Sequence, residues 1–336
     1  MSARYRPVVM TGPARPEGAL RLAGGWGWFT TLERLERRAL PVLVDQDRVP
    51  PEVLERLTAP RAPLAGLSFE RARIMGILNV TPDSFSDGGL FAGAAAAQAQ
   101  ARAIAAAGAD IIDVGGESTR PGAQEVAAAE EIARTAPVIA AIRGESAIAV
   151  SIDTRKAAVA RAALAAGADM VNDVAALTHD PALSGVVAEA GCPVILMHAQ
   201  GTPATMQDDP RYDDVVLDVY DFLEARIAAA EAAGIARERI IVDPGIGFGK
   251  TLQHNVRLLQ ALAVYHGLGC AILLGASRKR FIGTLAGAAE PGDRVAGSVA
   301  VALHAVTQGV QVLRVHDVKE TRQALSLQEA LGRAVE

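Results

Sequence analysis

Eight polar motifs in this chain each follow a short apolar run, and they sort by the chemistry their residue types allow. Asp153 in SIDT, Asn172 in VNDV and Asp243 in VDPG are two carboxylates and an amide. Asn172 lies inside an apolar run, where a buried amide must find hydrogen-bond partners, and a ring bearing donors and acceptors would supply them. Asp153 also stands where an Asp commonly caps a helix, here one beginning near Thr154. A second group is cationic: Arg278 and Lys279 with Ser277 in GASRKRFIG, and Arg314 and His316 in LRVHDV, alternating so that both point to one side. Cations at the start of a helix are electrostatically costly without an anionic ligand. Asn79 begins NVTPDSFSDGG, and its Asp83, Ser84, Ser86 and Asp87 serve either a turn or a loop folding over a ligand. In DVGGESTRPGA, paired glycines allow close backbone approach, Thr119 offers a hydroxyl and Arg120 an anion-binding fork stiffened by Pro121. Met197 offers a polarizable surface to an aromatic ring, although such a Met more often packs a core, and His198 reads as a structural histidine.

Two familiar readings fail. VDPGIGFGKT invites a nucleotide phosphate loop, but that motif needs Gly five residues before Gly249, where Pro244 stands. What remains is a carboxylate followed by a Gly-rich loop presenting Phe248 and Lys250. Cys192 and Cys270 read as small buried hydrophobes, since no spacing suggests zinc and two cysteines make no secreted disulfide framework.

The elements that must position these motifs are short apolar strands alternating with Ala-rich helical stretches from about residue 74. Strands are expected over Arg73–Leu78, Asp110–Val114, Ala147–Ile152, Asp169–Val174, Pro193–Met197, Ile240–Val242, Ala271–Leu274 and Val310–Val315. Helical stretches such as Ala92–Ala107 and Thr154–Ala166 end at Gly108 and Gly167. Eight parallel strands in about 260 residues predict a (β/α)8 TIM barrel, whose active site lies at the C-terminal strand ends and whose loops after strands seven and eight commonly bind phosphate. A doubly wound sheet would need a Gly-rich turn after the first strand, which is missing.

Residues 1–70 break that rhythm and form an irregular N-terminal extension before a barrel over 71–336. Trp26 and Trp28 are expected to pack on the barrel, and a helix is expected over Thr30–Arg38. Through Arg73 the chain has 12 Arg and no Lys against 8 acids, so this part carries +4 and leaves −9 of the net −5 to the rest. That balance excludes a strongly basic nucleic-acid binder, and any anionic substrate must be held by a few placed cations. No run of about 18 apolar residues spans a membrane and no apolar h-region marks a secretory signal. Although Arg4, Arg6 and Arg15 faintly suggest a transit peptide, Pro7, Pro13 and Pro16 would break its helix, so a cytoplasmic location is expected.

The two groups together call for a planar aminated ring carrying a phosphate ester, and here the sequence resembles the dihydropteroate synthases of folate synthesis. The resemblance covers about residues 73–330, through ILNVTPDSFSDGG, GGESTRPGA, SIDT, VNDV, LMH, DPGIGFGK, SRK and RVHDV. It implies condensation of (7,8-dihydropterin-6-yl)methyl diphosphate with 4-aminobenzoate, with Mg2+. It further implies that Asp153, Asn172, Asp243 and Lys279 hold the pterin, with Met197 beside the ring. Asn79 would meet the metal and diphosphate, Arg314, Val315 and His316 would form the anion pocket, and Thr119 would contact the diphosphate substrate. The loops carrying Asp83 to Asp87 and Thr119, Arg120 and Pro121 would close over the site, with Phe248, Ser277 and Arg278 bordering the aminobenzoate. A homodimer through helices late in the barrel is also implied. A pterin-dependent methyltransferase would share the acceptor cluster but has no use for a diphosphate site, and a barrel that binds pterins without turnover would not need every strand-end motif.

Overall fold

The computed structural model describes residues 3–80, 89–118, 124–201 and 205–332, with the backbone alone over 89–94. Eight parallel strands close into a barrel: β6 (Arg73–Asn79), β7 (Ile111–Gly115), β8 (Ala149–Asp153), β9 (Met170–Asp173), β10 (Val194–Met197), β11 (Ile240–Asp243), β12 (Ala271–Leu274) and β13 (Val312–Val315). These are the eight apolar runs, each within two residues of its expected bounds at the C-terminal end. Around them lie α2 (Gly89–Ala106), α3 (Ala128–Glu145), α4 (Ala157–Ala165), α5 (Leu183–Ala190), α6 (Val215–Ala232), α7 (Leu252–Gln260), α8 (Arg280–Ala286), α9 (Val295–Thr307) and α10 (Val318–Leu331). Helix α4 begins at Ala157 rather than Thr154, and its first amide is capped from the next loop, Ala157 N donating to Asp180 Oδ2 at 2.8 Å. Asp153 is thereby free of the capping duty.

The barrel interior changes character along its axis. Its lower layers are apolar, built by Met75, Ile111, Met170, Ile195, Ile241 and Leu273 among others. From below, Leu64 and Leu67 close a tight turn through Ala65 and Gly66, both at positive φ, and pack with Phe69 into the same cluster. Above this plug the inward positions become polar, because strand alternation brings Asp113 and then Gly115 to the inner face of β7.

The extension is built of strands β1 (Arg4–Pro7), β4 (Thr31–Leu35) and β5 (Val42–Asp45), paired antiparallel in the order β1-β4-β5, with a hairpin of β2 (Leu20–Arg21) and β3 (Trp28–Phe29) and a helix α1 (Pro51–Thr58). The expected helix over Thr30–Arg38 is strand β4. Tertiary pairing on both edges outweighs local preference there, and Leu32 is fully buried with Phe29, Leu22 and Leu57 in a separate small core. Trp26 meets the barrel, its Nε1 donating to Val306 O at 2.9 Å, whereas Trp28 donates to Gly12 O within the extension.

The arginine excess of the extension is matched to acids on α6. Asp218, Asp221 and Glu224 recur every three residues and so share a face. Arg4 Nη2 reaches Asp221 Oδ1 at 2.8 Å and Glu224 Oε2 at 2.7 Å, with its guanidinium 4.2 Å above the Tyr220 ring. Arg37 pairs with Asp218 and, at 2.7 Å, with Asp221 Oδ2. Arg61 is held by carbonyls instead, donating to Cys270 O at 3.1 Å and His266 O at 3.0 Å, and burial pushes its guanidinium down to about 10. Cys192 and Cys270 are buried and unpaired, as expected. Arg4→Ala should lower stability to urea by about 1–3 kcal/mol, with the deficit shrinking at high salt. An unchanged unfolding midpoint would mean that the ion pairs do not hold the extension in place.

Candidate active site

The strand register brings the predicted residues into one ring. Asn79 pairs with Gly115, Gly115 with Asp153, and Asp153 with Asn172, so four adjacent strands present these residues at one level. On the far side Met197 pairs with Asp243. Two glycines leave the space between them open. A Cβ on Gly115 would lie 3.7 Å from both Asn79 Oδ1 and Asp153 Cβ, and one on Gly275 would lie 3.6 Å from Asp243 Oδ2. The arrangement is a glycine-lined slot with carboxylates at its edge. A cavity of about 270 Å3 opens beside it, lined by Met197, Phe248, Val174, Met206 and Phe222.

Arg314 joins this ring rather than standing apart with the anion-binding group. Its Nε donates to Asp113 Oδ2 at 2.6 Å and its Nη2 to Asp153 Oδ2 at 2.8 Å. Burial opposes its charge, but Asp113 and Asp153 outweigh it and hold the guanidinium protonated. One cation cannot balance two buried carboxylates. Burial, with Asp113 nearby, pushes Asp153 up to about 7 against the pull of Arg314. Asp243 is also raised by burial, which Lys279 partly offsets, and burial lowers Lys279 to about 8.

Asp113 is the residue that motif reading passed over. It is fully buried, accepts from Asn172 Nδ2 at 3.2 Å as well as from Arg314, and its Oδ1 has no partner among the described residues. The signal was available, since an Asp inside the apolar run IIDV poses the same question as Asn172 in VNDV. Its neighbour in pattern, Asp173, is by contrast structural: its carboxylate accepts from Ala175 N at 2.8 Å and Leu177 N at 2.6 Å.

The loop after β11 is shaped by glycines at positive φ. Gly245 is at φ 68°, and a Cβ there would sit 1.9 Å from His198 O. That close approach lets Asp243 Oδ1 accept from Gly245 N at 2.7 Å. Lys250 turns inward, its Nζ 2.9 Å from His198 Nδ1 and donating to Phe248 O at 3.0 Å. His198 is buried against Phe222 and Lys250, and burial lowers it to about 2, which fits its structural reading. Lys279 Nζ donates to Ile246 O and lies 4.4 Å from the Phe248 ring, so this loop and the SRK turn are fastened to each other.

Within SRK, the anion expected for Arg278 is internal. Its Nε donates to Asp317 Oδ2 at 3.0 Å, and the residue is held at φ 58° by Ser298 Oγ on its amide and Arg294 Nη1 on its carbonyl. That pairing also fastens the turn that carries Lys279. Ser277 Oγ lies 3.1 Å from His316 Nδ1 and accepts from His316 N at 3.2 Å, fixing that ring. Val315, expected in the anion pocket, packs its side chain in the layer between barrel and helices, leaving only its backbone to face a ligand. Thr119, Arg120 and Pro121 and the residues Asp83 to Asp87 lie outside the described residues.

The family described as pterin binding enzyme matches residues 75–316, and the chain belongs to it. Its relatives include the dihydropteroate synthase of Escherichia coli (strain K12), 48% identical over 264 residues, 79% of this chain and 93% of that one. Among solved structures, Xanthomonas albilineans dihydropteroate synthase with 4-aminobenzoic acid superposes with a TM-score of 0.76 at 49% identity, covering 81% of this chain and 97% of that one. The same enzyme in complex with 7,8-dihydropteroate superposes at 0.73 with 46% identity, covering 80% and 97%.

The crowded carboxylates make a prediction about stability. A carboxylate raised on folding stabilises below its unfolded value and loses that contribution as pH rises through the folded value, here about 7. Asp153→Asn removes the excess charge and leaves Arg314 paired one-to-one with Asp113. The variant should melt as the parent does only below about pH 4, and its advantage should grow as pH rises from there to about 7 and stay constant above. A variant that melts lower at pH 8 would show that Arg314 needs both carboxylates.

Proposed function

We infer that the chain condenses (7,8-dihydropterin-6-yl)methyl diphosphate with 4-aminobenzoate to give 7,8-dihydropteroate and diphosphate. The observation that carries this reading is the ring of Asp153, Asn172 and Asp243 around a glycine-lined slot. Those groups accept from the ring N–H and amino groups of a pterin, while Met197 and Phe248 supply apolar walls. Asp153 and Asp243 stabilise positive charge on the ring as the bond from its methylene to the diphosphate breaks, and the amine attacks that carbon. An arylamine needs little help from a base, so no general base need be assigned. His316, oriented by Ser277, faces the departing diphosphate, and Lys279, beside Asp243, borders the ring.

Magnesium is part of the proposal. Among the described residues no group of three His, Cys, Asp or Glu side chains forms a metal site. Asn79 Oδ1 nevertheless borders the open space over Gly115, and a hard oxygen donor suits Mg2+, which keeps waters and takes most of its ligands from phosphates. Asn79 would hold the ion together with the substrate. When bound, it would supply charge neutralisation to the diphosphate leaving group.

We extend the reading to assembly and location. Helix α9, VAGSVAVALHAVT, carries one His as its only ionisable residue yet leaves Val299, Val301 and Leu303 partly exposed, which supports a homodimer packed on this helix. Two buried free cysteines and no described helix able to cross a membrane accord with work in the cytoplasm.

Incubation with the pterin diphosphate, labelled 4-aminobenzoate and Mg2+ should yield labelled dihydropteroate, and folded protein without such product would overturn the assignment. Asp153→Asn should cut kcat by about a hundredfold or more with little change in diphosphate affinity, and equal losses in both would remove its charge-stabilising role. Because the active form needs Asp153 ionised and Lys279 protonated, kcat/KM should rise through about pH 7 and fall above about pH 8. A flat profile across that window would separate these two groups from the chemistry.

A further inference from the structure

A second cavity, of about 160 Å3, lies where the extension meets the barrel. Among the described residues its walls come from three parts of the chain: Trp26 of the extension, Arg71 and Ala72 on the approach to β6, and Val306, Gln328 and Glu329 near the ends of α9 and α10. Because Arg71 and Ala72 precede β6 and Asn79 ends it, the cavity and the ring of site residues lie at opposite ends of that 7-residue strand, roughly 20 Å apart along it.

The walls differ in chemistry. Trp26 is fixed by donating from its Nε1 to Val306 O at 2.9 Å, and with Ala72 and Val306 it gives the cavity an apolar side. On α10, Gln328 Oε1 and Glu329 Oε1 are buried and have no partner among the described residues. Buried acceptors left in this way cost free energy that a ligand bringing N–H donors would return. Arg71 supplies the opposite charge. It shares the carboxylate of Asp110 with Arg73 and Arg322, so three guanidiniums divide one anion. Among the described residues no ion pair joins Arg71 to Glu329, although both line the same space. With Asp110, Glu329 and Glu70, three carboxylates stand against those three guanidiniums, and a place balanced in this way favours a ligand without net charge.

We propose that this cavity binds a small zwitterion with an apolar body, an α-amino acid by chemical class, its ammonium on Gln328 and Glu329, its carboxylate on Arg71 and its side chain against Trp26. A plain amine would leave Arg71 without an anion, and a plain carboxylate would leave the two buried acceptors unsatisfied. The ligand would touch the extension and the barrel at once, and its binding would hold the two together. The proposal does not rest on the synthase reading.

Trp26 and Trp28 are the only tryptophans, so Trp28→Phe leaves Trp26 as the single indole reporter. In that protein L-valine, L-leucine or L-phenylalanine at millimolar concentration should change the indole emission in a saturable way. The two fragments of leucine, 3-methylbutylamine without the carboxylate and 4-methylpentanoate without the amine, should each bind at least tenfold more weakly. Glu329→Gln should weaken leucine by about tenfold and leave 4-methylpentanoate within twofold, since it removes the charge opposite the ammonium and keeps the shape of the wall. Isothermal titration calorimetry on the parent protein makes the same comparison of leucine with its fragments, should Trp28→Phe fail to fold. Absence of saturable binding by all three amino acids would overturn the proposal. So would either fragment binding as tightly as leucine, or an unchanged leucine affinity in folded Glu329→Gln protein.

Discussion

One guanidinium between two buried carboxylates organises the top of this barrel. Arg314 reaches Asp113 and Asp153 from the opposite side of β6, and in doing so ties β13 to β7 and β8 across the barrel interior. Breaking a buried pair of this kind typically costs about 3–5 kcal/mol, because an uncompensated charge is left behind. Here the charges are uncompensated already, since two acids share one cation. That imbalance has a chemical use: it leaves Asp153 titrating near pH 7 and Asp113 Oδ1 without a donor among the described residues, in a slot suited to a ligand that brings donors with it.

Such a site can persist only on a rigid base. Below the polar ring the interior is closed by apolar layers and by the Leu64 to Leu67 turn, so the strands cannot collapse into the space the glycines leave open. The extension contributes that turn and then runs along α6, fastened by Arg4 and Arg37 on an acidic stripe. Its positive charge, which stood out in the composition, is therefore spent within the molecule.

The strands and the ring of site residues were legible because both follow from alternation. An apolar run ending in a polar residue is a strand whose end faces the barrel mouth, and that rule found Asn79, Asp153, Asn172 and Asp243. It does not show partners that come from elsewhere in the chain. Arg278 and Arg314 looked like unpaired cations awaiting an anion, yet Asp317 and Asp113 supply it, and no local pattern reveals a partner 39 or 201 positions away. Strand β4 was misread for the same reason, since a segment of mixed preference takes its form from the two strands that pair with it.

The pairing of these cations constrains how an anionic substrate can be held. Among the described residues Arg278 is committed to Asp317, Arg314 to two acids, Lys250 to the β11 loop and Lys279 to Ile246 O, while His316 is oriented by Ser277. Lys279 is itself partly neutralised by Asp243. Among the described residues these cations are already partly neutralised, so a diphosphate would gain less from them than from a pocket lined by free arginines. A substrate that arrives with a divalent counterion avoids the difficulty, because the pair carries little net charge and needs only oriented donors. Among the described residues, the pairing of these cations thus suits a site whose acids serve the ring of a ligand.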